Sequence, residues 1–199
     1  MGCAARMIRV LTVADGPALP PGLETALRRT PGIVLVGAAS SDQELWPKLR
    51  HARPQVVVMD HHLPTTDGLL LCHRIKHTAL PPAVLIYSAY TDASLTIPAL
   101  AAGADGLLGE SPETSELEEA IRMVDRGEQC FPPMTGELMD AAVARIDAAD
   151  RPILDLLLDH ASVGDIATAT RRPIDAAAGR VQRLIRQLAL GVPVRGSGY

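Results

Sequence analysis

Aromatic residues are scarce in this 199-residue chain: one Trp, one Phe and three Tyr, 3% in all. Proteins that thread single-stranded nucleic acid stack bases on several rings, so that class is disfavoured. Cysteine is scarce too. Cys3, Cys72 and Cys130 are odd in number, far apart and outside any CxxC motif. That pattern speaks for a reducing compartment and against a disulfide framework. No apolar run approaches the ~20 residues that span a bilayer, so no membrane segment is expected. The N-terminal MGCAARM lacks the apolar stretch of a secretory signal, and Arg6 stands where N-myristoylation requires Ser or Thr. Together these lacks lead to the expectation of a cytoplasmic protein. There is no basic excess either. A net charge of -4 argues against coating nucleic acid over the whole surface. The chain has no GxGxxG motif, and no Ser/His/Asp or Cys/His set, so no enzyme is expected.

What the sequence does have is enough apolar material for a core, 47% against 21% charged, and a length suited to a mid-sized domain plus a small one. Charge is divided unevenly. Residues 150–199 carry seven Arg against five Asp, so the preceding body holds more than the whole negative balance. Two jobs in one chain are implied.

The body alternates two kinds of segment. Short β-branched or apolar runs occupy 8–13, 33–37, 56–59, 84–87 and, more weakly, 106–108. Between them lie helical spacings: Leu19, Leu23 and Leu27; Leu45 and Leu49; Leu117, Ile121 and Val124. Continuous apolar strands separated by helices mean parallel strands buried on both faces. Five such units predict an α/β fold with a doubly wound five-stranded parallel sheet. Ligands of such sheets sit at the carboxyl ends of the strands. There the chain places Ala14-Asp15, then Asp60-His61-His62-Leu63-Pro64-Thr65-Thr66-Asp67-Gly68, then Ser88-Ala89-Tyr90, then Gly109-Glu110. Carboxylates and a hydroxyl converge on one crevice.

On these residues the body, over roughly 8–127, resembles the receiver domain of bacterial two-component response regulators. The run VVVMD-HHLP-TTDG at 56–68 is similar to the family's strand, acceptor Asp and following loop. YSAY at 87–90 and GADGLLGESPETSELEEAIR at 103–122 match its later pieces. The resemblance implies a flavodoxin-like fold. It makes Asp60 the phospho-acceptor and Ser88 the switch hydroxyl. Mg²⁺ is the implied cofactor, with Asp15, Asp60 and the backbone carbonyl of His62 as ligands. The chemistry is intelligible: a carboxylate can act as nucleophile, and a divalent cation must offset the phosphoryl charge.

Two positions depart from the family. Ala14 stands where the first of two adjacent acids is usual, and Glu110 aligns with its lysine. Two like charges ~4 Å apart at an effective dielectric of ~20 repel by about 4 kcal/mol. Three alternatives follow: a pocket that still switches by phosphorylation, a cation site made by Asp15, Asp60 and Glu110, or a degenerate receiver kept for dimerisation or another signal.

In the tail, Pro132-Pro133 breaks the chain, and Leu138, Ala142 and Val143 predict a linker helix. Asp147 to Asp150 reads as a capping pair ahead of a helix that buries Ile153, Leu154, Leu157 and Leu158. Ser162-Val163-Gly164-Asp165 repeats the pattern and opens a second helix. Pro173 starts a third, with Val181, Leu184, Ile185 and Leu188 on one face and Arg180, Arg183 and Arg186 on another. Two short helices before an Arg-studded one suggest helix-turn-helix DNA binding. The tail resembles the LuxR-type module that follows receivers in the NarL/FixJ class, without gaps over 146–188. Against that module, His160 replaces a Gly, and Ala176-Ala177-Ala178 replaces Thr-Val-Lys. The resemblance implies that Arg171, Arg172, Arg180 and Arg183 contact phosphates while 175–179 approach the major-groove floor. Alanines can touch a thymine methyl but make no bidentate base contact, so modest specificity is expected.

The domains expected are a receiver at 7–127, a linker with a helix at 128–145, a small all-α helix-turn-helix domain at 146–190 and a flexible tail at 191–199. The function expected is a DNA-binding transcriptional regulator working as a homodimer on double-stranded DNA. A sensor histidine kinase is its implied partner, and control without ordinary aspartyl phosphorylation is admitted. A receiver used for protein interaction or phosphoryl acceptance, with a weakly binding tail, is the alternative. His73 and His77 lie at i, i+4 beside Cys72, but with no third ligand they read as exposed polar residues. Trp46 reads as packing, and His61-His62 as loop residues at the crevice.

Overall fold

The computed structural model describes residues 7–14, 21–63, 66–88, 93–109 and 114–190. Five strands lie in the body: β1 (Ile8–Val13), β2 (Ile33–Ala39), β3 (Val56–Asp60), β4 (Ala83–Ser88) and β5 (Gly106–Gly109). All pair in parallel in the order β2-β1-β3-β4-β5. The helices between them are α1 (Pro21–Arg29), α2 (Asp42–Ala52), α3 (Gly68–Lys76), α4 (Thr96–Ala101) and α5 (Thr114–Asp125).

The strands alternate side chains between two apolar layers. Val10, Val56, Val58 and Leu85 point to one side, where Leu27 of α1 and Leu117, Ile121 and Val124 of α5 cover them. Leu11, Val57, Met59 and Ile86 point to the other, towards Leu45 of α2, Leu71 and Ile75 of α3 and Ile97 of α4. Burial on both faces explains why β1, β3 and β4 read as unbroken apolar runs. The predicted strands are all present, each extended by at most two residues.

The tail supplies α6 (Gly136–Val143), α7 (Arg151–Leu158), α8 (Val163–Ala169) and α9 (Ile174–Ala189). Its apolar residues join the second layer rather than forming a separate core: Ile153, Leu157, Val181, Leu184 and Leu188 belong to the same cluster as Met59 and Ile97. α3 packs against α9, and α4 against α6, α7 and α9. Consequently every residue of the six-residue α4 is buried.

Two expectations about caps part company. Ser162 and Asp165 form a reciprocal capping box at α8. Asp147 makes no side-chain cap and precedes a 3-10 turn at Ala148–Asp150. Asp150 is turned inward instead, ion-paired with Arg180. Among the described residues no helix is long and apolar enough to cross a membrane.

Candidate functional site

The strand order reverses between β1 and β3, and the crevice opens at their carboxyl ends. Register brings the predicted residues together there. Val13 pairs with Met59, so Ala14 follows beside Asp60. Asp60 pairs with Tyr87, and Ser88, one residue on, pairs with Gly109. Ala14 is buried and offers no donor where the family has an acid. Ser88 is fully buried. Asp15, Ala89, Tyr90 and Glu110 lie outside the described residues, as do Leu19 and the tail from 191.

The Asp60 carboxylate is one-third exposed. Its Oδ1 accepts the His62 N–H at 2.9 Å. The His61 ring is nearly buried, with Nδ1 3.4 Å from the same oxygen and no hydrogen-bond partner. His62, by contrast, is exposed. The two adjacent histidines therefore differ: one packs on Asp60, the other faces solvent. Sequence reading did not separate them, because adjacent loop residues carry no periodicity.

The loop after Asp60 folds back on itself. His62 bridges to Asp67, Gly68 donates its N–H to the His61 carbonyl at 3.2 Å, and Asp67 caps α3 through the N–H groups of Leu69 and Leu70. A Cβ at Gly68 would lie 2.5 Å from the His61 oxygen and 2.6 Å from that of Asp60. The Asp-Gly pair thus fixes the loop by a cap and by a close approach that only glycine permits. The donors available to a cation here, the Asp60 carboxylate and the His62 carbonyl, are hard oxygens of the kind Mg²⁺ prefers.

The proposed DNA-facing residues fall into two groups. Arg171, Arg172, Ala176 and Arg183 are exposed, and Ala178 is half-buried. Ala177, expected at the major-groove floor, is instead 1% exposed and packed in the core. Arg180, expected on a phosphate, donates to the Asp150 carboxylate and to the Ala149 carbonyl. The cause is helical geometry: 177, 181, 184 and 188 share the apolar face, and 180 borders it. His160 has φ +58°, which explains the glycine usual at that position, and Arg171 repeats the left-handed turn at +52°. His73, read as exposed, is 6% exposed. Burial, with His77 adding to it, lowers its pKa to about 4.

This sheet order, with an aspartate ending the third strand and a glycine-clamped loop behind it, defines a receiver. The chain belongs to the response regulator receiver domain family, which matches it over residues 10–122. A protein-glutamate methylesterase/protein-glutamine glutaminase of Syntrophus aciditrophicus is 34% identical over 121 residues, covering 60% of this chain but only 34% of that protein. The chain thus spans about a third of that relative's length. The probable transcriptional regulatory protein NarL of Mycobacterium tuberculosis is 25% identical over 191 residues, covering 92% of this chain and 88% of the other. Among solved structures, RcsB of Salmonella enterica serovar Typhimurium, bound to a promoter in the presence of the phosphomimetic BeF3-, aligns with a TM-score of 0.59 at 18% identity. That alignment covers 96% of this chain and 94% of the other, and shows that the tail helices share the fold as well as the receiver.

Proposed function

We infer that the chain is a transcriptional response regulator whose tail binds double-stranded DNA as a homodimer and whose receiver has an altered phosphorylation pocket. The observation that carries this reading is the union, in one chain, of a receiver with a helix-turn-helix whose α9 begins behind the exposed Arg171 and Arg172. Likeness along nearly the whole chain to a protein named as a transcriptional regulator supports it. The methylesterase relative aligns over only 34% of its own length, so its chemistry carries no part of this reading. In the altered pocket, a carboxylate oxygen of Asp60 would attack the phosphorus of a kinase phosphohistidine. The donor's P–N bond would break and its imidazole would leave with the electron pair, and the Ser88 hydroxyl would meet a phosphoryl oxygen. Mg²⁺ on Asp60, Asp15 and the His62 carbonyl would supply the charge that offsets the phosphoryl group. Ala14 removes one acid from this set, and Glu110 puts an anion where a cation would hold the phosphoryl group. The phosphorylated state is therefore weakly held, and control passes to another signal or to protein level.

Fluorescence anisotropy with genomic DNA fragments tests the reading. Binding should fall steeply with salt, and Arg171→Ala, Arg172→Ala and Arg183→Ala should each reduce the salt slope by about one. In parallel, calorimetry with beryllofluoride and Mg²⁺, with Asp60→Asn as control, should show weak binding or none. The second reading, a receiver used for protein interaction, is favoured by the burial of Ala177 and the engagement of Arg180, which leave α9 few groups for reading bases. Absence of binding to every fragment would select it.

A further inference from the structure

At the amino ends of β3 and β4, the end of the sheet away from Asp60, a cleft of about 570 Å³ opens between the last turns of α2 and the segment joining α3 to β4. Sites for small ligands span roughly 300–1,000 Å³. Trp46, Leu49, Pro54, Leu80 and Pro82 form its apolar walls, and Arg50, Arg53 and Thr78 line it as well. Neither phosphoryl chemistry nor DNA binding uses these residues.

Three features separate the cleft from ordinary surface. Leu80 is 91% exposed although it lines an apolar wall, so it offers surface that an apolar partner would cover. Arg50 and Arg53 have no ion pair or side-chain hydrogen bond among the described residues. Elsewhere in the body Arg28, Arg74, Arg122 and Arg126 each hold a carboxylate, and Arg9 holds the Ala52 carbonyl. Arg29, at the end of α1 and outside the cleft, is the counterpart without a side-chain partner among the described residues. Complementing the α2 dipole accounts for positive charge at this helix end, but not for two unpaired guanidinium groups beside an apolar cleft. Finally, the Trp46 ring is fixed in advance. Its Nε1–H donates to Asp42, and Arg74, bound to Asp42 at 2.6 Å, lies 4.9 Å from the ring centroid. A ring already held in place costs little to order when a ligand arrives.

The geometry points to a binding site for a small amphipathic anion. An aromatic or branched apolar body lies between Trp46 and Leu80, and one carboxylate is held by Arg50 and Arg53. Guanidinium forks suit a planar acid, and the apolar walls suit nothing more than one charged head. The site is independent of the Asp60 crevice and of the tail.

Trp46 is the only tryptophan in the chain and reports on the cleft directly. Phenylbutyrate and its neutral amide, phenylbutanamide, are titrated into the full-length protein. Trp46 emission is followed with excitation beyond the phenyl band, and calorimetry gives the stoichiometry. A saturable emission shift with one equivalent of acid is expected, and the amide should bind about tenfold more weakly, the loss of one charge-assisted contact. The Arg50→Gln/Arg53→Gln variant should bring acid and amide to the same affinity. Leu80→Asp, at an exposed position, should abolish both while circular dichroism stays unchanged. No saturable response, equal affinity for acid and amide, or a response indifferent to the arginine variant would overturn the site. An emission shift on raising protein concentration alone would also overturn it, since a second copy would then be the occupant.

Discussion

Body and tail bury their apolar residues differently. In the body each face of the sheet has its own covering helices, α1 and α5 on one side and α2, α3 and α4 on the other. In the tail, α7 and α9 turn part of their apolar surface onto α3 and α4. The body would keep most of its core if the tail were absent. The tail would lose a wall if the body were absent. Structural independence is therefore one-sided: the helices proposed to bind DNA are held partly by the domain proposed to regulate them.

The strongest test of that dependence is Leu184→Ala on α9. Leu184 is fully buried in the shared cluster, and truncation of such a leucine costs about 4 kcal/mol. Trp46 reports on the body and far-ultraviolet circular dichroism on all helices. In urea unfolding both signals should move together to lower midpoints. A dichroism change that precedes the Trp46 transition would break the comparison, since the tail would then unfold alone.

Asp150→Ala attacks the tail from within. Asp150 and Arg180 have side chains only 10% and 18% exposed, and the pair ties the start of α7 to the middle of α9. Removing the acid strands a guanidinium in a poorly solvated place, at a cost of about 3 kcal/mol. The double variant Asp150→Ala/Arg180→Met should recover much of that stability, because no charge is left unpaired. A single-variant loss below about 1 kcal/mol would mean that the pair acts as an exposed one.

That pair also shows where sequence reading stops. The sheet was legible because burial on both faces writes itself as continuous β-branched runs, and the loop after Asp60 because Asp67 and Gly68 have local reasons to be where they are. The Ser162/Asp165 capping box was legible for the same reason: its partners are three residues apart. Asp150 and Arg180 are thirty residues apart, so Asp150 read as a local cap and Arg180 as a DNA contact. His73 read as exposed because an i, i+4 pair of histidines looks polar, whereas the tail helices covering α3 could not be seen in the run of residues around it. The Arg50/Arg53 cleft likewise needs two separate segments, 46–54 and 78–82, to be brought together.

His73 allows the junction to be tested by pH. It lines a cleft between body and tail together with Lys76 of α3, the His77 that follows it, and Leu157, His160 and Ala161 of the tail. Burial, with His77 nearby, lowers its pKa from 6.5 to about 4 in the fold. Between those values the unfolded chain binds the proton more readily than the folded one. The contribution of neutral His73 is therefore full above about pH 6.5 and is lost as pH falls towards 4, on the order of 2 to 3 kcal/mol. Urea midpoints measured across that window should fall in the wild type, and the slope should flatten in His73→Gln. An unchanged slope would assign the acid sensitivity to other groups.

Ser162→Ala is the mildest test and probes the tail without touching the shared core. Ser162 Oγ accepts the Asp165 N–H at 3.1 Å, and the Asp165 carboxylate accepts the Ser162 N–H at 3.0 Å. The same serine hydroxyl, with help from the Ser162 N–H, lowers the Asp165 pKa. Loss of such a cap costs about 1 kcal/mol. If the tail is bound into the body as the shared cluster implies, that small loss is shared by one cooperative unit, and the Trp46 midpoint should fall by the same amount as the dichroism midpoint. A tail that unfolds on its own would confine the loss to α8 and α9 and leave Trp46 unmoved. The smallest substitution thus discriminates as cleanly as the largest, because Ser162 in the tail and Trp46 in the body lie on opposite sides of the α3 and α4 contact.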